Sequence, residues 1–265
     1  MSAIRTDPGH NKDHSKSSIE FRAQKGGAMN LILLSETDFT DNSHQKVLIK
    51  GRRKEHVMEV FRAVPGDQLK VGLINGLLGT GTVESIDNDK IELTVSLTDP
   101  PPPPLPLTLV MALPRPKSLK KSIEVATALG IKKIYIIESW RVEKSYWSSP
   151  LLKDANLQAH LMLGLEGAKD TIVPKIVIRN RFKPFVEDEL PDISKGTMAL
   201  VAHPYCQQFC PHAVNRPVTL VIGPEGGFIP FEVELLEKNG FQAVTLGQRI
   251  LRVENAIPTI AGRLF

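Results

Sequence analysis

The chain has 265 residues, 42% of them hydrophobic and 23% charged, which is ordinary for a globular protein and enough for one large domain or two small ones. No apolar run approaches the roughly 20 residues that span a bilayer, so no membrane helix is expected. The two cysteines, Cys206 and Cys210, exclude a disulfide framework and fit a reducing cytoplasm, and the net charge of +4 is compatible with a nucleic-acid partner without requiring one.

Residues 1–29 are polar and lack the apolar core of a secretory signal. They read as a disordered tail, or as an extension ahead of a start at Met29. Residues 30–99 carry short alternating runs, "QLKVGLI", "GTGTVESI" and "KIELTVSL", separated by the turn signals "PGD", "NG" and "DND". This pattern predicts a small all-β barrel. Five consecutive prolines in "DPPPPPLP" follow, and residues 100–106 are expected to form a stiff extended connector.

From residue 107 to 265 strands alternate with helices. "LTLVMAL", "KKIYIIES", "PKIVIR", "TMALVAH", "PVTLVIG" and "FQAVTLG" read as strands. "SLKKSIEVATALG", "LLKDANLQAHLMLGLEGA", "FEVELLEKNG" and "NAIPTIAGRLF" read as helices. Such alternation predicts an α/β domain with a mainly parallel sheet, whose ligand site lies at the carboxyl ends of the strands.

Three of those strand ends lead into unusual loops: "AHPYC", "GPEGGF" and "GQRILRVENA". Each alone is explained by turn chemistry. None matches the dinucleotide-binding or P-loop pattern. Two glycine-bearing loops in the same domain point to a place where main chain approaches a flat ligand. Arg249 and Arg252 flank Ile250 and Leu251, which describes either a salt-bridged helix entrance or a pocket with apolar walls and a cationic rim.

Taken together and in order, "IGPEGGF" and "LGQRILRVENA" closely resemble the RsmE family of SPOUT RNA methyltransferases. Its pattern is a GPEGG loop followed by L-G-x-R-I-L-R-x-E-T-A. "LPRPKSLKKSIEVATALGIKKIYIIESWRVEKSYW" looks like the family's L-P-K…K-x-x-E-L-G-V…R segment. "GRRKEHVMEVFRAVPGDQLKV" looks like the H-x-x-x-V-x-R…G-D element of its N-terminal PUA-like barrel. The resemblance covers residues 30–265.

That resemblance implies an N-terminal PUA-like β-barrel and a SPOUT α/β domain with a C-terminal trefoil knot. It implies methyl transfer from S-adenosylmethionine to N3 of a uridine in 16S ribosomal RNA, by a homodimer and without a metal. The cofactor set it implies is Ala202, His203, Ile222, Gly223, Pro224, Glu225, Gly226, Gly227, Leu246, Gly247, Ile250 and Leu251. In that reading Gly223, Gly226 and Gly227 admit the adenosine, the three aliphatic residues Leu246, Ile250 and Leu251 cover the adenine, and Pro224 stiffens the loop.

The chain also departs from the family. Asn255 replaces a threonine and is expected to keep its capping role. Ile229 and Pro230 stand where Ser or Thr is common, so the next helix is expected to lack a side-chain N-cap. "LMLGLEGAKDTIVP" lacks the usual E-Q-S/C-x-R, with Lys169 carrying only the charge of the missing arginine.

Uracil N3–H is a weak acid, so transfer needs help with the proton or with the anion. Arg252 is the expected stabiliser of charge on the uracil oxygens. Glu254 or Glu225 could accept the proton directly or through water, although capping the last helix or pairing with an arginine is the stronger expectation for Glu254. RNA phosphates are expected at Arg52, Arg53 and Lys54 in "KGRRK" and at Arg115, Lys117, Lys120 and Lys121. Trp140, Tyr146 and Trp147 offer stacking faces, with core packing as the competing role. "HPYCQQFCPH" gathers His203, Cys206, Cys210 and His212, which are zinc-ligand types at a spacing unlike a standard finger. A non-catalytic RNA-binding factor for ribosome assembly is the other function class.

Overall fold

The computed structural model describes residues 30–265, and the stretch 1–29 read as a tail lies outside them. The first sheet contains β1 (Ile32–Leu34), β2 (Lys46–Lys50), β3 (Gln68–Leu73), β4 (Leu78–Ile86) and β5 (Lys90–Asp99) in the order β1-β3-β4-β5-β2. β2, β4 and β5 alternate buried residues with more exposed ones while β1 is buried throughout, and the inward set includes Ile32, Val47, Ile49, Val71, Val83, Ile91 and Leu93. Phe39 bridges to Val47, tying the segment after β1 to the far edge of the sheet.

The all-β expectation for residues 30–99 needs one correction. Helix α1 (Gly51–His56) follows β2 and continues through a wider turn to Phe61. The segment "GRRKEHVMEVF" buries only Val57, so hydrophobic periodicity carried almost no signal of it.

The second sheet is entirely parallel. It contains β6 (Leu107–Ala112), β7 (Lys133–Ile137), β8 (Lys175–Arg179), β9 (Met198–Ala202), β10 (Val218–Ile222) and β11 (Gln242–Val244) in the order β11-β9-β10-β6-β7-β8. All five residues of β10 are buried, as expected of a central strand covered on both faces. The helices are α2 (Pro116–Ala128), α3 (Asp154–Ala168), α4 (Phe182–Pro184), α5 (Leu190–Ser194), α6 (Pro230–Lys238) and α7 (Val253–Leu264). α2 buries Leu119, Ile123 and Ala126 on one stripe and starts with Pro116 in its first turn.

The run from α4 through Phe185–Glu189 into α5 was not anticipated, although Phe182, Phe185, Val186 and Leu190 recur at helical spacing and are buried. Two prolines and an acidic run within it mask that period. The prolines of 100–104 do not leave the connector loose, because Leu105 N–H donates to the Gly130 carbonyl at 3.0 Å.

The two sheets are joined through α3 and the chain after it. Arg52 forms a two-point pair with Glu166, at 3.0 and 2.5 Å, and Glu166 is 2% exposed. Thr171 Oγ1 donates to the Gly76 carbonyl at 2.6 Å, and Asn75 Oδ1 accepts from Val173 N–H at 3.0 Å. Leu31 and Leu33 pack on Leu165. This accounts for residues in the stretch that departs from the family pattern. Glu166 holds Arg52, Asp170 holds Lys132, and Gly164 lets α3 approach α2, where a Cβ would lie 2.7 Å from the Glu124 carbonyl oxygen. Lys169 is exposed and ends α3 with φ +56°.

Candidate functional site

Parallel register brings four strands of the second sheet to a common edge. Ala202 lies opposite Ile222, Ile222 opposite Met111, and Ala112 opposite Ile137. The loops that leave β9, β10 and β11 at this edge enclose a cavity of about 220 Å³. Its walls include Ala202, His203, Ile222, Gly223, Pro224, Glu225, Gly226, Gly227, Leu246, Ile250, Leu251 and Arg252. Gly247 of the expected cofactor set is not on the wall. It turns the chain at φ +120°, and its N–H donates to Thr245 Oγ1 at 3.1 Å.

Arg249 lines the cavity with Arg252, and Tyr205, Phe228 and the α7 stripe Val253, Ala256 and Ile260 also line it and were not singled out from the sequence. The α7 stripe was legible as an i, i+3, i+7 period. Phe228 and Tyr205 carried no such signal.

The loop after β10 is braced from both sides, and its carboxylate is one of the braces. Glu225 Oε1 accepts the Arg115 backbone N–H at 3.1 Å, at the start of α2, and lies 3.6 Å from the Arg115 guanidinium. Arg141, from the loop after β7, donates to the Gly226 carbonyl at 2.5 Å. A Cβ on Gly226 would meet Arg141 Cδ at 3.1 Å, and Gly227 adopts φ +70°. These two glycines therefore serve the loop's own geometry: one admits Arg141 and the other makes the turn.

Helix α6 begins without a side-chain cap from Ile229, as expected, but its orphan amide is not left free. Glu232, one turn in, reaches back to accept Ile229 N–H at 3.0 Å. The same buried carboxylate accepts Trp140 N–H at 2.8 Å and the Ser139 hydroxyl at 3.2 Å. Glu232 thus couples the loop after β7 to the loop after β10.

Burial holds the His203 imidazole below its ordinary pKa, so a neutral ring faces the cavity at neutral pH. The thiols of Cys206 and Cys210 are pushed up by burial, and both cysteines are unpaired. Arg252 is exposed and precedes α7, and Glu254 lies in that helix's first turn at 9% exposure. Burial works to raise the Glu254 pKa. Its own backbone N–H, the Ser118 hydroxyl, Arg252 and Lys121 outweigh this and hold the carboxyl below the ordinary range. Asn255 supplies no side-chain cap here, because the position ahead of the helix is Arg252 and Asn255 is exposed in the first turn.

A second cavity, of about 450 Å³, shares Ile250, Leu251 and Arg252 with the first. Its remaining wall is Lys121, Glu124, Val125, Glu254 and Asn255, so it is polar where the first is apolar.

The basic residues expected to meet RNA divide into two groups. Arg53 pairs with Asp38 at 2.6 Å and donates to the Leu33 carbonyl, Arg52 pairs with Glu166, and Lys54 donates to the Asn88 carbonyl. Arg115 faces Glu225. Lys117, Lys120 and Lys121 are exposed on α2. His203, Cys206, Cys210 and His212 do not assemble as a ligand set, since no group of three or more such side chains gathers among the described residues. Trp140 is 79% exposed, while Tyr146 and Trp147 pack partly against the core.

A model of the RNA methyltransferase domain family matches residues 101–264, more than half of the chain. The chain is 27% identical over 234 residues to the ribosomal RNA small subunit methyltransferase E of Treponema pallidum, covering 86% of this chain and 87% of that protein. It is 23% identical over 236 residues to the ribosomal RNA small subunit methyltransferase E 1 of Borreliella burgdorferi, covering 89% and 96%. The fold matches the crystal structure of the ribosomal RNA small subunit methyltransferase E from Neisseria gonorrhoeae bound to S-adenosyl methionine, with TM-score 0.68 and 21% identity over 88% of this chain and 95% of that one. With its parallel sheet, its braced loops and these matches along its length, the chain belongs to the RNA methyltransferase domain family, and within it to the RsmE group of SPOUT methyltransferases.

Proposed function

We propose that this protein transfers a methyl group from S-adenosylmethionine to N3 of a uridine in 16S ribosomal RNA. The carrying observation is the apolar cavity at the common strand edge, which shares Ile250, Leu251 and Arg252 with a polar one beside it, in a chain that matches two small-subunit rRNA methyltransferases over most of its length. The residues present suit the cofactor. Leu246, Ile250 and Leu251 supply a carbon wall for a flat ring, main chain of the 223–227 loop supplies polar edges, and a neutral His203 adds no charge against a sulfonium.

S-adenosylmethionine, when bound, supplies the methyl as an electrophile, so the chain's task is to position the acceptor nitrogen and manage its charge. Entry into the polar cavity requires the uracil to leave its stack. Arg252, on the wall common to both cavities, stabilises the negative charge that develops on the uracil oxygens as the N3 proton passes to solvent water. Glu254, in the first turn of α7, is held in its ionised form by the charges of Arg252 and Lys121 and by the Ser118 hydroxyl, which makes it a weak base and a favourable charge at the start of that helix.

The reading extends to architecture. Residues 30–99 form the PUA-like barrel, 100–106 the connector and 107–265 the SPOUT domain, whose C-terminal segment is threaded as a trefoil knot. In support, the Ala213 and Val214 amides donate to the carbonyls of Arg263 and Leu264, so the loop after β9 is tied to the C-terminal end of the last helix. The protein acts as a cytoplasmic homodimer. Its free cysteines fit the compartment, and exposed Ile250, Leu251, Tyr205 and Phe209 near the cavities fit a partner copy. The exposed lysines of α2 take the phosphates of the RNA.

The test is transfer of labelled methyl from S-adenosylmethionine to unmodified 16S rRNA and to small subunits, with the product base mapped by mass spectrometry. Methylation at uridine N3 is expected. Arg252→Ala should lower kcat about 100-fold at saturating cofactor, the size of a lost charge-stabilising donor, and Glu254→Gln should lower it less. No affinity for S-adenosylmethionine by calorimetry would sink the reading and leave an RNA-binding assembly factor.

A further inference from the structure

Trp140 is the most exposed large hydrophobic residue among those described, at 79%, yet its backbone is among the best held near the site. Its N–H donates to Glu232 Oε1 at 2.8 Å, and Glu232 is 3% exposed. Ser139 before it donates to the other oxygen of Glu232, and the Val142 amide closes a turn onto the Ser139 carbonyl at 3.0 Å. Arg141 after it is anchored on the Gly226 carbonyl. An indole that packed no core and met no ligand would gain nothing from such support. Trp140 also stacks on no other aromatic ring among the described residues.

Its location narrows the partner. Trp140 follows β7 by three residues and lies on the strand edge that carries the cavity, one residue from the arginine that braces the cavity loop. Arg141 and Lys144 next to it are exposed and cationic, and Glu138 and Glu143 are the opposing charges on that loop. A rigid, solvent-facing ring with an exposed arginine beside it has the chemistry of a base-stacking surface for single-stranded nucleic acid.

We propose that Trp140 is a stacking platform for an unpaired base of the RNA, adjacent to the uridine that enters the site. The proposal rests on the methyltransferase reading for its RNA. The loop holds the indole at fixed orientation, so stacking costs little side-chain entropy and helps fix which nucleotide is presented.

Two measurements test it. In methyl transfer to unmodified 16S rRNA, Trp140→Ala should raise KM for RNA about tenfold, the scale of one lost base stack. Its kcat, its affinity for S-adenosylmethionine and its melting temperature should stay at the parent values, and Trp140→Phe should recover most of the loss. A KM within twofold of the parent for Trp140→Ala overturns the platform while leaving methyl transfer standing. In a Trp147→Phe background, Trp140 is the single tryptophan, since the chain has two. Its emission should be solvent-exposed in the free protein and quenched on titration with 16S rRNA or with oligouridine. Absence of quenching by either RNA overturns the proposal. So does shielded emission in the free protein with a change of sedimentation mass in Trp140→Ala, which would make this face a contact between copies. If the parent transfers no methyl, the methyltransferase reading falls, and quenching by oligouridine still decides for or against the platform.

Discussion

At the scale of single residues, charge and backbone conformation set the working conditions of the cavity. His203 is held neutral by burial, and its folded pKa lies below the ordinary 6.5. Above that ordinary value it contributes no charge in either the folded or unfolded chain. As pH falls through the lowered folded pKa, the ring charges beside the cofactor's sulfonium, and the stability of the neutral buried form is lost with it. S-adenosylmethionine affinity, followed by calorimetry from pH 8 to pH 5, should therefore be flat and then weaken in acid, and His203→Gln should remove the acid limb. Gly227 is a second point of leverage. At φ +70° any Cβ is strained, so Gly227→Ala should cost about 1–2 kcal/mol in denaturant unfolding and weaken cofactor binding. Calorimetry that finds unchanged affinity would mean the loop relaxes freely.

At the scale of elements, the site depends on loops that brace one another more than on any single loop. Glu225 fastens the β10 loop to the start of α2, Arg141 fastens it to the β7 loop, and Glu232 fastens that loop to the start of α6. Glu232→Ala would strip three donors of their acceptor, two of them backbone amides. It should destabilise the protein by about 1–3 kcal/mol. Hydrogen exchange should accelerate at residues 139–142 and 229–232 together, and acceleration at only one of the two segments would count against the coupling. The local signals here gave only one of two roles. The three glycines, the proline and the glutamate of "GPEGGF" read as ligand contacts. The structure assigns Glu225, Gly226 and Gly227 at least as much to holding the loop as to lining the cavity.

At the scale of the whole molecule, the joint between the two sheets decides how RNA bound on one would reach the other. Arg52 and Glu166 are 114 positions apart in sequence and meet at 2.5 Å, with Glu166 sealed and Arg52 half exposed. Arg52→Ala leaves a buried carboxylate without its partner. It should cost about 2 kcal/mol, below the range for a fully buried pair because Arg52 is wetted. The double variant Arg52→Met with Glu166→Leu should recover much of that stability. Under the proposed function, Arg52→Ala should also raise KM for 16S rRNA more than it lowers kcat, because the loss lies in orientation and not in chemistry. The same pair corrects the simplest view of "KGRRK" as a phosphate clamp, since two of its cations are already neutralised within the chain.

The sequence by itself determined the order and type of most elements after residue 107. Parallel strands covered on both faces must be runs of aliphatic residues, and amphipathic helices must repeat near 3.6. "GPEGGF" with "LGQRILRVENA" was enough to name the family, because two ordered strings are far more specific than any period. The helix at Gly51–His56 and the run from Phe182 to Ser194 escaped because the first buries almost nothing and the second is broken up by proline and acid. Only the tertiary structure decided which charges are spent internally. It paired Arg52 with Glu166 and Arg115 with Glu225, and it left Lys117, Lys120, Lys121 and Trp140 facing solvent. A side chain's type is local, but its partner is chosen by packing between segments that lie far apart in the chain, and no local pattern encodes that choice.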